Sequence, residues 1–212
     1  GDIWIGGRRG LSRLNRESGN FKRYTHDPAD PHSLSDNEVR GLYVDKEGTL
    51  WVATGMPWTL DDNGGLNRYD PETDSFERIM HDPDDPKSIS NNKVRALFED
   101  TQGNFWVGTA GDGLHLFDKD NKTFTQYPYD PDHRDKLSMP FLEGTDISSS
   151  NPWSHINSIF EDHSNRLWIS AVYSGLNVYD PASGINKHYE AGDAEGDLKS
   201  NFVWQTYQSD DG

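Results

Sequence analysis

Cysteine is absent from this sequence of 212 residues, which excludes disulfides, zinc-thiolate sites and thiol nucleophiles. The compartment stays open, because oxidising and reducing spaces both tolerate a Cys-free chain. No apolar run approaches the ~20 residues needed to cross a bilayer. No stretch sustains a 3.6-residue periodicity, so little helix is expected. Positive charge is scarce: 20 Lys and Arg stand against 36 Asp and Glu, a net charge of −16. A surface of that sign repels phosphate backbones and anionic headgroups, so neither nucleic acid binding nor direct membrane insertion is expected. No signal peptide is visible, and a chain opening on Gly1 is expected of a segment excised from a longer protein.

What is present is aromatic residues and glycine. The apolar fraction is 32%, yet aromatics reach 12% and glycines number 20, which suits many short strands joined by tight turns rather than a disordered or helical chain. From Val39 the chain reads VRGLYVDKEGTLWVATG, from Val94 VRALFEDTQGNFWVGTA, and from Ile156 INSIFEDHSNRLWISAV. Aligned on tryptophan there are four copies, at Trp4, Trp51, Trp106 and Trp168, spaced 47, 55 and 62 residues apart. Each full copy holds four strand-like pieces, such as VRALFE, NFWVGT, GLHLFD and TFTQY. Four-stranded units at that period predict an all-β fold, a β-propeller of four-stranded antiparallel blades. The predicted repeats are residues 1–36, 37–91, 92–153 and 154–200, with 201–212 an extra innermost strand. That strand could close a four-bladed ring with the first copy; an open arc of a larger propeller is preferred, because no terminal cap is visible.

With strands lettered a to d from the channel outward, the recurring residues acquire physical jobs. Asp45, Asp100 and Asp162 precede the a–b turn, where a carboxylate accepts backbone N–H bonds. Gly48, Gly103 and, in their place, Asn165 stand where a positive φ is expected. Each tryptophan is expected to pack between neighbouring blades rather than stack on a ligand.

The pattern V-R-x-[LI]-aromatic-x-D-x-x-G-x-[LF]-W-[VI]-[GA]-T, followed by G-L-x-x-[YF]-D, resembles the two-component regulator propeller repeat. The resemblance covers essentially the whole chain, with departures at Asn157, Asn165 and Ala171. It implies a ligand-sensing segment of a bacterial extracytoplasmic receptor that relays to a histidine kinase, located in the periplasm. Oligosaccharide is the implied ligand; the neighbouring blades and signalling domains of the same chain are implied partners, with a homodimer allowed. No cofactor, no metal and no catalytic role are expected of the segment itself.

Function is sought where the copies differ. The b–c loops span 4 positions from Thr109 to Gly113 and from Ala171 to Gly175, but 11 from Thr54 to Gly65. The extra residues place Trp58, Asp61, Asp62 and Asn63 in a polar loop. The d–a connections span 15 positions from Tyr24 to Val39 and from Ile79 to Val94, but 29 from Tyr127 to Ile156. That insertion carries Arg134, Phe141, Glu143, Asp146 and Trp153. Both insertions belong on one face of adjacent blades. The candidate ligand-binding residues are therefore Trp58, Asp61, Asp62, Asn63, Arg134, Phe141 and Trp153. Aromatic faces beside carboxylates and amides suit a sugar's C–H face and hydroxyls. The same aromatics could instead anchor their own loops or a protein partner.

The loops HDPADPHSLSDN from His26 and HDPDDPKSISNN from His81 concentrate carboxylates, but lack an EF-hand spacing and read as Asp-Pro turns rather than calcium sites. An enzyme would need a convergent acid and base. His115 and His188 are expected on the surface of outer strands, and His155 as a hydrogen-bonded residue just before an inner strand. A propeller similar to streptogramin lyase and a protein-interaction scaffold stand as rival readings.

Overall fold

The computed structural model describes residues 1–59, 61–111, 113–130, 132–139 and 155–209. Blade one is β1 (Ile3–Gly7), β2 (Gly10–Leu14) and β3 (Phe21–Tyr24). Blade two is β4 (Val39–Val44), β5 (Leu50–Thr54), β6 (Gly65–Asp70) and β7 (Ser75–Ile79). Blade three is β8 (Val94–Glu99), β9 (Phe105–Thr109), β10 (Leu114–Asp118) and β11 (Thr123–Tyr127). Blade four is β12 (Ile156–Glu161), β13 (Leu167–Ala171), β14 (Gly175–Asp180) and β15 (Ile185–Tyr189). Each is an antiparallel meander in chain order, and β4, β8 and β12 pack side by side as the inner strands. The expected all-β propeller arc is thus the observed fold.

Alternation explains the cores. β5 and β9 are buried along their whole length because both sheet faces meet a neighbouring blade. Each apolar cluster bridges two blades: Trp51 lies with Phe105 and Phe117, and Trp106 with Ile159 and Leu167. Where an inner strand crosses the preceding blade, space runs out. A Cβ on Gly108 would lie 2.6 Å from Ile156 Cγ2, which explains why the fourth position of this strand motif is small.

The a–b turns follow the expectation and add a bond to it. Gly48, Gly103 and Asn165 adopt φ of 86°, 87° and 59°. Asp100 Oδ1 accepts the backbone N–H groups of Gln102 and Asn104. Its Oδ2 accepts the indole N–H of Trp106 at 2.9 Å, as Asp45 does from Trp51 and Asp162 from Trp168, both at 2.8 Å. Aspartate six residues before tryptophan therefore ties the turn to the blade core.

Blades are also joined at these turns. Lys46 N–H donates to Glu99 Oε2 and Thr101 N–H to Glu161 Oε2, each at 2.7 Å. His163 N–H makes the corresponding bond to Gln208 Oε1 at 2.8 Å. Residues 202–209 thus run along β12 as β12 runs along β8, although they form no ladder and are not paired with β1.

Two histidines differ from expectation. His115 is fully buried and His188 half-buried. The reason is the d–a connection, which folds back over strand c. The Ser90 hydroxyl meets His115 Nε2 at 2.8 Å, just as Ser35 N–H donates to Asn67 Oδ1 and Asn177 Nδ2 donates to the Ser138 carbonyl. The strand-c position is a pin for the returning loop. His188 Nδ1–H donates to Asn177 Oδ1 at 2.8 Å. In the matched loops, His26 and His81 ring Nδ1–H groups donate to the carbonyls of Leu34 and Ile89 at 2.7 Å, a shared structural bond.

Candidate functional site at the channel mouth

The inner strands share a β-bulge at one repeat position. Pairing shifts between Val39 and Gly41, between Val94 and Ala96, and between Ile156 and Ser158. The extra residues are Arg40, Arg95 and Asn157. A bulge leaves its residue outside the ladder and re-aims the side chain. Here the three converge: Arg95 Nη2 donates to Asn157 Oδ1 at 2.9 Å.

Trp58 lies over this convergence. The long b–c loop of blade two is held against the start of β8, with Asn92 Nδ2 donating to the Asp62 carbonyl at 3.0 Å and Lys93 Nζ to the Thr59 carbonyl. From there the indole reaches the Arg40 guanidinium at 5.4 Å and that of Arg95 at 5.8 Å. The His155 ring meets it edge-on at 6.0 Å. Trp58 keeps 37% of its surface exposed. One side chain thus touches residues beginning three inner strands.

The charges are unevenly satisfied. Arg40 Nη2 pairs with Glu38 Oε1 at 2.6 Å. Arg95 has no carboxylate partner among the described residues, and its buried Nε and Nη1 have no hydrogen-bond partner among them. Burial, followed by the positive charge of Arg40, lowers the Arg95 pKa to about 10, so it remains charged at neutral pH. A cleft of about 280 Å³ opens beside it, lined by Gly41, Leu42, Asn157, Ser158, Trp204 and Gln205 among others.

The sequence-selected residues separate. Trp58 is at the mouth. Asp61, Asp62 and Asn63 are exposed on the same loop, with Asn63 N–H donating to Asp61 Oδ1 at 3.3 Å. Arg134 is exposed beside the outer strands of blade four, where its carbonyl accepts Asn186 Nδ2 at 3.3 Å. Phe141 and Trp153, with Glu143 and Asp146, lie outside the described residues. His155 is buried, its carbonyl accepting Val172 N–H at 2.9 Å. Arg40 and Arg95 escaped selection because they belong to the repeating V-R motif and read as architecture. The signal that could have found them is the replacement of that arginine by Asn157 in the next copy. Among the described residues no three His, Asp or Glu side chains converge as a cation site.

Comparison with known proteins supports the architecture. The two-component regulator propeller pattern matches residues 33–56 and 88–111. Histidine kinase P4 of Formosa agariphila is 30% identical over 193 residues, covering 86% of this chain and 12% of that protein. The extracellular domain assigned to a one-component system of B. thetaiotaomicron superimposes with a TM-score of 0.71 at 21% identity, over 99% of this chain and 24% of that one. Virginiamycin B lyase from Staphylococcus aureus shares the fold at a TM-score of 0.57 and 15% identity, over 90% of this chain and 52% of that one. The chain therefore spans a small part of the kinase and of the extracellular domain that it resembles.

Proposed function

Because the chain belongs to the two-component regulator propeller family, we propose that it is the ligand-sensing propeller segment of a bacterial extracytoplasmic receptor, binding oligosaccharide at the channel mouth and relaying to a histidine kinase. The observation that carries the reading is Trp58, which extends from the long b–c loop of blade two over the first residues of three blades. A partly exposed indole beside two guanidinium groups suits the C–H face and hydroxyls of a sugar. The similarity to a histidine kinase and to an extracellular domain supports the placement outside the cytoplasm. Residues 1–36, 37–91, 92–153 and 154–200 are the proposed blades, with 201–212 the inner strand of a further one.

Mechanistically, a ligand shifts a receptor only as far as its affinity differs between two arrangements. A ligand under Trp58 would bridge Arg40, Arg95 and the start of β12, and would favour one relation of blades two, three and four over others. Trp58→Ala in the full-length protein is expected to weaken oligosaccharide binding at least about tenfold, the order of one lost aromatic contact, while the melting temperature stays within a few degrees. Undiminished binding across a glycan array would overturn this assignment of the site.

A further inference from the structure

We infer that the saccharide recognised at this mouth carries an oxyanion, a uronate carboxylate or a sulfate ester, which pairs with Arg95 and Arg40 beneath Trp58; this rests on the sensing reading above. The chain has 36 acidic side chains against 20 basic ones, so a basic group placed at random would find a carboxylate easily. Arg40, Lys119 and Arg166 all do. Arg95, half-buried at the start of β8, does not among the described residues, and it donates instead to the neutral amide oxygen of Asn157. A guanidinium withdrawn from water with donors unused is a costly arrangement for stability alone. It is an apt arrangement for a ligand that brings the missing acceptor.

Geometry supports the same chemistry. Two guanidinium groups sit within 6 Å of one indole centroid, at 5.4 and 5.8 Å; Glu38 offsets the charge of Arg40, and that of Arg95 is left for an incoming anion. Guanidinium forks match planar carboxylates and sulfates through paired N–H bonds. The bulges that aim them are shared by the blades, but only blades two and three place arginine there; Asn157 supplies an amide on blade four. The adjacent cleft of about 280 Å³ has room for a sugar ring beside the charge. Trp58 would cover the ring, and the negative field of the remaining surface would disfavour anions elsewhere.

The test is calorimetric titration of the full-length protein with oligogalacturonate and sulfated galacto-oligosaccharide, each beside its methyl-esterified or desulfated counterpart. The expected result is at least tenfold tighter binding of one acidic sugar than of its neutral counterpart. Arg95→Met and Arg40→Met should each remove that preference, weakening the acidic sugar at least tenfold more than its neutral counterpart. Arg95→Met should also melt no lower than the native protein, because it removes an unpaired charge. Should it fail to fold, Arg95→Lys retains the charge without the fork and is expected to lose most of the preference. Equal binding of acidic and neutral forms, or acidic binding unchanged in the arginine variants, overturns the inference while oligosaccharide sensing stands. Binding of no saccharide, neutral or acidic, overturns both.

Discussion

Asp100→Ala lowers the unfolding free energy by about 3 kcal/mol, the cost of stranding one buried indole donor and freeing partly buried donors of the turn. Asp100 is 5% exposed. Its carboxylate serves the backbone of Gln102 and Asn104, the Asn104 amide and the Trp106 indole. Removing it strands the Trp106 indole N–H where the ring packs against blade four, and leaves the partly buried turn donors of Gln102 and Asn104 without their acceptor. Asp118 makes a similar set of bonds to Asp120 and Asn121 in an exposed c–d turn, so Asp118→Ala should cost under about 1 kcal/mol because water replaces the lost acceptor. Asp100→Asn discriminates further. Its oxygen can keep the backbone bonds, but its amide then opposes the indole N–H, so the cost should fall between the two. Urea unfolding measures all three, and an Asp100→Ala loss no larger than that of Asp118→Ala would refute the anchoring role.

Acidification from pH 6.5 to 4 removes about 3 kcal/mol of stability through His115 alone, because a tenfold difference in proton affinity between folded and unfolded chain is worth about 1.4 kcal/mol. Burial lowers this histidine from 6.5 to about 4. Its neutral ring donates from Nδ1 to the Val107 carbonyl and accepts at Nε2 from Ser90. Because the folded pKa lies below the unfolded one, the stabilisation is complete above pH 6.5. It is lost as pH falls towards 4, where the unfolded chain binds the proton and the folded chain resists it. His188 adds a smaller contribution of the same sign, since burial lowers it too. The Asp162 carboxyl enters only at lower pH: burial would raise it, yet the Trp168 indole and its other donors hold it at about 2. His115→Asn, which installs the residue found at positions 67 and 177, should flatten most of the decline. Stability curves of native and variant protein that run parallel between pH 6.5 and 4 would show that His115 is not its source.

Much of the fold was legible because each blade repeats the same local requirements. Aspartate, glycine and tryptophan at fixed spacing encode a turn, a positive φ and an interface ring, and those depend on residues close in sequence. The burial of His115 was not legible. It depends on Ser90, 25 residues away, folding back over strand c. The long b–c loop was legible as an anomaly of length, and it pointed to Trp58. Its partners were hidden inside the repeat motif itself.

The sequence alone therefore determined the all-β class, the four repeats, the turn chemistry and the loop that departs from the pattern, because periodicity and spacing are properties of the chain. Only the tertiary structure decided that Arg40 and Arg95, 55 residues apart, meet at one indole, with Asn157, 62 residues further on, bonded to Arg95. That meeting arises from a bulge repeated in three inner strands and from the side-by-side packing of blades around a common channel. Neither can be read from one blade's sequence, because the convergence exists only between blades.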